Sequence, residues 1–294
     1  MTGEDASRRR GAPPIRVAGL RTAFGDHVIH EDLDLEMNSG EIMGVVGGSG
    51  AGKSVLLNTI LGLKKPDGGR VELFGRDVQD PAYQAEIERR IGVMFQGGAL
   101  FSTLTVQENV EAPFLEHVAL PADLVRRLAA FKIKLAGLPD NAGALKPSEL
   151  SGGMKKRAGI ARAIALDPEL LFLDEPTAGL DPIGAAAFDD LIKSLKETLG
   201  LTVFLITHDL DTLHAICDRV AVLADRHVVA VGTIPELLAL DHPWIQEYFN
   251  GPRGRAAQDA ADREAGADPL ENMKRRRAAL ESAGGDTASE PGAG

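Results

Sequence analysis

Two short glycine-rich motifs carry the residue types and spacings in this sequence that could do chemistry. Residues 47–54 read Gly-Gly-Ser-Gly-Ala-Gly-Lys-Ser and fit the pattern G-x-x-x-x-G-K-[ST]. Glycines permit backbone angles at which successive N–H groups converge on an anion, so this segment, the phosphate loop, is suited to hold phosphate groups. Lys53 adds a positive charge for the β- and γ-phosphates, and the Ser54 hydroxyl can ligate Mg²⁺. The second motif is Leu150-Ser-Gly-Gly-Met154.

Polar residues also follow three apolar runs that are typical of buried strands. These polar residues are Asp174 with Glu175, His208, and Gln96, and the runs before them are 170–173, 203–207 and 91–95. Ligand sites in open α/β sheets lie at the carboxyl ends of strands. We therefore expect Asp174 to serve Mg²⁺, Glu175 to polarise the attacking water and His208 to contact the γ-phosphate.

Each of these residues has a plainer alternative. Asp174 and Glu175 could form a solvated acidic turn, and a lone histidine is usually a packed or surface residue. Gln96 could reach the metal and the water, but glutamine is chemically unspecific. The presence of a phosphate loop in the same chain favours the functional interpretation.

The elements that must position these residues alternate between strand and helix. The run Glu41–Val46 predicts a buried strand before the phosphate loop, and Ser54–Leu63 is compatible with a helix whose N-terminus points at the phosphates. Val71–Phe74 predicts an antiparallel strand, and residues 151–166 predict a helix capped by Ser151. The fold class is therefore α/β, with a mainly parallel core sheet, an antiparallel β subdomain and a helical subdomain.

Two helical segments carry further expectations. Residues 123–137 predict an amphipathic helix whose apolar side chains are Leu124, Leu128, Phe131 and Leu135. The basic trio Lys155–Arg157 predicts a solvated helix start, with a nucleic-acid or membrane contact as the alternative.

The motifs resemble those of the ATP-binding cassette (ABC) ATPase family over about residues 15–245. In family terms, residues 47–54 are the Walker A loop, Gln96 the Q-loop, Leu150–Met154 the signature motif, Asp174 and Glu175 the Walker B acids, Ala178–Asp181 the D-loop and His208 the switch histidine. This resemblance implies the RecA-like core of the family and a hydrolysing site, because the acidic Glu175 is present.

The resemblance implies a role for each matching residue. The residues implied to act in hydrolysis are Glu175, His208 and Lys53. The implied Mg²⁺ ligands are Ser54, Gln96 and Asp174. The implied ATP contacts are Phe24, Gly47, Gly48, Ser49, Gly50, Ala51, Gly52, Lys53, Ser54, Val55, Gln96, Ser151, Gly152, Gly153 and Asp181. Phe24 matches the aromatic that stacks on adenine, with a core aromatic as the alternative.

The resemblance also implies that two cassettes sandwich two ATP molecules head to tail. Each phosphate loop then faces the signature motif of the other subunit, and closing the sandwich moves attached subunits. This chain has one set of motifs and no internal repeat, so it needs a second copy to complete a site. The signature motif departs from the family by ending in Met154 instead of glutamine; Ser151, Gly152 and Gly153 are intact, so we expect tuning of the site and no loss.

The stretch Gln96–Phe114 and the Met-ended signature motif resemble the Mla-type phospholipid-transport ATPases (MlaF family) of MCE-protein lipid transporters. In ABC proteins this stretch forms the groove that holds a coupling helix of the permease. The apolar side chains that suit such a groove, or an ordinary core, are Ala99, Leu100, Phe101 and Leu104. The implied partners are an integral-membrane permease, a periplasmic MCE-domain lipid-binding protein and a small STAS-domain regulator.

The function expected from this resemblance is ATP hydrolysis that drives lipid, in particular phospholipid, transport at the bacterial inner membrane. One alternative is the ATPase of a small-solute importer. Another is a soluble ABC scaffold, such as an iron–sulfur assembly ATPase.

Composition limits the choice of partners and location. The 294 residues are 44% apolar but only 4% aromatic, so aliphatic side chains must fill the core, which suits buried parallel strands. A net charge of −11 disfavours nucleic acid. The sequence has no run of 18 apolar residues and no apolar signal-peptide core near its start. We therefore expect a peripheral protein on the cytoplasmic face of the inner membrane.

The sequence predicts three regions along the chain. We expect a flexible leader at residues 1–14, an ABC ATPase domain at 15–250 with its helical subdomain at about 97–165, and a mobile tail at 251–294. Within the tail, Lys274–Arg277 could contact a partner or anionic lipid, with a solvated segment as the alternative.

Overall fold

The computed structural model describes residues 11–251 of the chain. The strands are β1 (Ile15–Phe24), β2 (His27–Met37), β3 (Ile42–Gly47), β4 (Gly68–Leu73), β5 (Arg76–Asp77), β6 (Ile91–Met94), β7 (Leu170–Asp174), β8 (Thr202–Ile206), β9 (Arg219–Ala224) and β10 (His227–Gly232). The helices are α1 (Lys53–Ile60), α2 (Gln84–Arg90), α3 (Val106–His117), α4 (Ala122–Leu135), α5 (Gly152–Ala163), α6 (Pro182–Leu199), α7 (Leu210–Ile216), α8 (Ile234–Leu238) and α9 (Pro243–Asn250). Nearly all of the predicted leader and tail lies outside the described residues.

The strands form two sheets, which confirms the predicted α/β fold. One sheet has six strands in the order β10-β9-β3-β8-β7-β6; its strands run parallel except β10, which pairs antiparallel with β9. The other has four antiparallel strands in the order β2-β1-β4-β5. The antiparallel strand predicted at Val71–Phe74 lies in β4, where Val71 pairs with Val17 of β1.

The central strands of the larger sheet are buried on both faces, which explains their continuous apolar sequences. Every residue of β8 is buried, as are Leu170–Leu173 of β7 and Ile42–Val46 of β3. The rings of Phe172 and Phe204 lie side by side in this core, with centroids 5.5 Å apart. The sheet is therefore a rigid platform for the loops at its edge.

Parallel pairing brings the ends of four strands to one edge of the sheet. Asp174 at the end of β7 pairs with Ile206 at the end of β8, and Ile206 also pairs with Val45 near the end of β3. Met94 at the end of β6 pairs with Leu173. The phosphate loop and the segments after β6, β7 and β8 consequently leave the sheet at the same edge, as their apolar runs predict.

The face of α4 differs from its prediction. The helix begins one residue before the predicted range, and its buried residues are Val125, Ala129, Lys132 and Ile133. Leu124, Leu128 and Leu135 are half-buried at the flank of this face, and Phe131 is exposed. The reason is that small Ala129 lies where the helix packs, while Lys132 can be buried because its ammonium bonds the Asp167 carboxylate.

The stretch for which we predict a helical subdomain contains α3, α4 and α5. These helices share one hydrophobic cluster, which includes Val110, Ile133 and Ile160. The division of the chain into domains stays a prediction. Within residues 11–251, no helix has the length and apolar character needed to cross a bilayer.

Candidate nucleotide site

The phosphate loop joins β3 to α1. Gly47 ends β3, Gly48, Ser49, Gly50, Ala51 and Gly52 form the turn, and Lys53, Ser54 and Val55 begin α1. Gly50 and Gly52 have φ angles of 81° and 94°, which glycine adopts without steric conflict. A Cβ on Gly52 would lie 2.5 Å from Nε2 of His30, a residue whose pKa burial lowers to about 4. The loop therefore rests on a neutral imidazole and leaves no space for a side chain at this glycine.

The Lys53 side chain folds back across the phosphate loop. Its Nζ donates hydrogen bonds to the carbonyl oxygens of Gly47 at 2.7 Å and Gly48 at 3.2 Å. Burial lowers the pKa of Lys53, while the carboxylates of Glu175 and Asp174 oppose that shift. The ammonium is thus held against the phosphate loop, where both carboxylates of the acid pair favour its charged form.

Asp174 and Glu175 lie where β7 leaves the sheet. Burial raises the pKa of Asp174, the neighbouring Glu175 adds to the rise, and Lys156 and Lys53 oppose it. Glu175 has a φ of 47°, in the left-handed region that few non-glycine residues occupy. Its Oε2 lies 2.8 Å from Nδ1 of His208, whose side chain is 72% exposed. The structure therefore brings together the acid pair and the imidazole that the sequence singles out separately.

The oxygen donors at this edge have the chemistry that Mg²⁺ prefers. Ser54 is an exposed residue in the first turn of α1, and Gln96 follows β6, the neighbour of the strand that ends in Asp174. They offer a hydroxyl, an amide and a carboxylate oxygen. Mg²⁺ in nucleotide sites uses one or two protein oxygens together with phosphate oxygens, so these residues fit such an ion.

Phe24 ends β1 next to the turn at Gly25, and its side chain projects into solvent. The residue is 58% exposed, and its ring centroid lies 4.7 Å from Nζ of Lys64. This exposure excludes the alternative of a core aromatic. Stacking on adenine stays a prediction.

The signature motif and the D-loop form a second surface. Ser151 caps α5 and its Oγ accepts a hydrogen bond from the Met154 N–H at 3.2 Å, as the sequence predicts. Asp181 caps α6 in the same way, through the Gly184 N–H at 2.8 Å. Gly153 lies beside Leu180 of the D-loop, so the two caps belong to neighbouring segments. Ser151, Gly152 and Asp181 are exposed, which leaves these helix N-termini open to a ligand from outside the chain.

A cavity of about 620 Å³ opens beside the phosphate loop, and α9 forms one wall of it. Its lining includes Gly48, His208, Trp244 and Tyr248. The rings of Trp244 and Tyr248 are stacked with centroids 4.7 Å apart, and the Tyr248 hydroxyl lies 3.3 Å from the His208 carbonyl oxygen. Burial raises the pKa of this phenol. A helix in this part of the chain is visible from the sequence, but its contact with the phosphate loop is not.

Trp244 is the only tryptophan of the chain, so its fluorescence should report nucleotide binding. We expect a saturable change in emission when ATP is titrated, because the indole lines the same cavity as the phosphate loop. The measurement is steady-state fluorescence of the full chain with and without Mg²⁺. Trp244→Phe should remove the signal, and Lys53→Ala should shift it to much higher ATP concentration. Flat emission in a preparation that hydrolyses ATP would contradict this placement of Trp244.

Two residues of the basic trio, Lys156 and Arg157, are not solvated, which corrects the prediction for them. Lys156 is only 6% exposed and its Nζ donates to the Glu175 carbonyl oxygen at 3.0 Å. The Arg157 guanidinium donates to the carbonyl oxygens of Ala136 and Ala187, at 3.2 and 3.3 Å. The physical reason is that α5 is packed on several sides through small residues, and its long basic side chains find backbone acceptors inside the protein.

Comparisons with known proteins agree with this geometry. The sequence model of the family described as "ABC transporter" matches residues 30–178. "Intermembrane phospholipid transport system ATP-binding protein MlaF" from Haemophilus influenzae is 40% identical over 239 residues, which are 81% of this chain and 90% of that protein. "Probable ribonucleotide transport ATP-binding protein mkl" from Mycobacterium leprae is 36% identical, over 81% of this chain and 69% of that protein. A dimeric ATP-binding cassette bound to ADP and Pi aligns with a TM-score of 0.68 and 31% identity, over 74% of this chain and 98% of that chain.

Proposed function

Because the chain belongs to the ABC transporter family and is one of its ATPases, we propose that it powers phospholipid transport at a bacterial inner membrane. The observation that carries the proposal is the 40% identity to the MlaF protein over most of both chains. The relative named for ribonucleotide transport is also similar, at 36% identity over a smaller share of its own length. Ribonucleotide transport is therefore the second candidate function.

In the proposed site, the triphosphate of ATP lies on the phosphate loop and the N-terminus of α1. Lys53 exchanges its bonds to loop carbonyls for bonds to the β- and γ-phosphates, which are stronger acceptors because they are charged. Phe24 stacks on adenine. The exposure of Phe24 and the contact of the Lys53 ammonium with the phosphate loop support these two assignments.

Glu175 is the proposed general base for the attacking water, and His208 contacts the γ-phosphate. The pair already lies at hydrogen-bond distance, so the imidazole can hold the carboxylate in place before ATP arrives. Ser54, Asp174 and Gln96 would hold Mg²⁺. When bound, this ion neutralises charge on the phosphate oxygens.

We propose that two copies of the chain share each site. Residues of the phosphate loop, His208 and α9 line the cavity beside that loop. Within the described part of the chain, this lining does not include the residues of the second surface, which are Ser151, Gly152, Gly153 and Asp181. Exposed helix N-termini attract phosphate through their free N–H groups and dipole. A head-to-tail pair places the signature motif of one copy over the nucleotide of the other, and loss of the γ-phosphate removes the contacts that favour closure.

The proposed partners include a membrane permease, which would hold the chain at the cytoplasmic face. Exposed apolar side chains support such a surface: Phe101 is 55% exposed and Leu115 is 70% exposed. For Phe101, this exposure rules out the core alternative. A periplasmic MCE-domain protein and a STAS-domain regulator complete the proposed assembly.

Affinity purification of the full chain from detergent-solubilised native membranes tests the transport proposal. We expect a permease, an MCE-domain protein and phospholipid to co-purify, as measured by mass spectrometry. Phe101→Asp should reduce recovery of the permease, because it places a charge on the proposed docking surface. Leu63→Asp, at a residue 67% exposed elsewhere, is the matched control and should leave recovery unchanged. A solute-importer permease, bound ribonucleotide or soluble partners alone would each reject the lipid proposal and leave the ATPase intact.

A further inference from the structure

Lys156 is a buried cation that the proposed hydrolysis mechanism does not use. It lies in the second turn of α5 and is 6% exposed. An ammonium taken out of water needs charge or hydrogen-bond partners, and its Nζ donates to the Glu175 carbonyl oxygen at 3.0 Å. The carboxylates of Glu175 and Asp174 act on the same cation, since both oppose the fall in its pKa that burial causes. The partners of this buried lysine are therefore the main chain of Glu175 and the charges of the acid pair.

The main chain of Glu175 is held from two sides. Its carbonyl oxygen accepts from Lys156 at 3.0 Å and from the Ala178 N–H at 3.3 Å, and its N–H donates to the carbonyl oxygen of Ile206 at 2.8 Å. Between these bonds the residue keeps a φ of 47°, which is unfavourable for a residue with a side chain and persists only where neighbours enforce it. The Ala178 bond is local to the turn, so loss of the Lys156 bond would remove the only one of these carbonyl contacts that comes from another element and would let the carboxylate shift relative to His208.

The same helix connects this contact to the signature motif. Ser151 caps α5, and Lys156 follows five positions later, so the two residues are about 7.5 Å apart along the helix axis. The helix is continuous from Gly152 to Ala163, so its N-cap Ser151 and Lys156 belong to one element. A displacement of the exposed Ser151 end would be transmitted to the Glu175 carbonyl through Lys156.

We propose that Lys156 is a positioning residue that holds the Glu175 main chain in its left-handed conformation and couples the base to the helix that carries the signature motif. This inference rests on the proposed function, in which Glu175 activates water and Ser151 faces the second nucleotide. Docking of the second nucleotide on Ser151 then sets the position of the base at the chain's own nucleotide. Hydrolysis at one site would thereby depend on occupancy of the other.

The test compares Lys156→Met, Lys156→Arg and Lys155→Met in the full chain. We expect Lys156→Met to lower kcat by about tenfold or more, because small displacements of a catalytic group have large effects on rate. The Kd for ATP from Trp244 fluorescence should stay within about twofold, since the phosphate loop is unchanged. The melting temperature without nucleotide should fall by a few degrees at most, because the Glu175 carbonyl oxygen loses one donor and keeps the Ala178 N–H. Lys156→Arg should recover much of the rate, and Lys155→Met should behave as wild type.

A double-mutant cycle separates positioning from a structural role. In a Glu175→Gln background, Lys156→Met should cause almost no further loss in single-turnover hydrolysis, because the base through which it acts is already absent. A full additional loss, or a kcat near wild type in Lys156→Met alone, would overturn the inference. Near-wild-type turnover of Glu175→Gln would instead overturn the proposed role of Glu175, so the two failures are distinguishable.

Discussion

Glu175→Gln is expected to lower ATP turnover at least about 100-fold, because the amide cannot accept a proton from the attacking water. ATP binding should be retained, since the phosphate loop and Lys53 are untouched. The amide keeps the size of the carboxylate and can still meet His208, whose Nδ1 lies 2.8 Å from Oε2 in the native protein. Turnover is measured by phosphate release from the full chain, and binding by Trp244 fluorescence. Because hydrolysis reopens the proposed dimer, the variant should also accumulate as an ATP-bound dimer in size-exclusion chromatography.

The matched control is Glu169→Gln, just before the opposite end of the same strand. Glu169 is exposed and pairs with Arg90, with Nε 2.7 Å from Oε1. The pair is bidentate, but Glu169 precedes the end of β7 that is opposite to Asp174, so this variant should keep the wild-type rate. If Glu175→Gln hydrolyses ATP as fast as Glu169→Gln, another group activates the water and the assignment of the base is wrong.

The parts of the protein that sequence predicts well are those encoded locally. The strand before Asp174 is a short apolar run, and the phosphate loop is a fixed pattern of glycines, lysine and serine, so both are visible without knowledge of what surrounds them. The parallel pairing then brings Glu175 and His208 together, because strand ends in such a sheet share one edge. The chemistry at that edge of the sheet could thus be predicted from the residue types and their spacing in the sequence.

The parts that sequence misses depend on distant partners. Lysine side chains are usually exposed to solvent. Lys156 is buried because its ammonium can donate a hydrogen bond to the Glu175 carbonyl oxygen, and the sequence does not show that this acceptor is near. Likewise, no sequence pattern indicates the contact between Tyr248 and His208, because β9 and β10 separate the two residues along the chain. For α4, Phe131 looks like a core residue, but the packing selects the face that contains the small Ala129. Residue type alone cannot distinguish these cases.

Two inactive variants are expected to restore activity when they are combined in one dimer. Lys53→Ala removes the phosphate contact from one surface of the chain, and Ser151→Asp places a negative charge on the other. Asp is as good an N-cap as Ser, so α5 should keep its start while the added charge opposes the triphosphate. Each variant alone damages both sites of its homodimer and should lose at least about 100-fold in turnover.

In the heterodimer, both defects fall in the same site and the other site is complete. We therefore expect turnover at least about tenfold above that of either parent when the two variants are co-expressed with different tags and purified through both. Turnover should stay below half of the wild-type value per dimer, because no nucleotide docks on the signature motif of the chain that carries the working base. Ser151→Asn keeps the cap without the charge and should be much less damaging than Ser151→Asp, which separates repulsion from loss of helix structure. A heterodimer as inactive as its parents would show that the signature motif does not act on the nucleotide of the other copy. Recovered activity requires two surfaces on different chains, because neither variant carries a working site of its own.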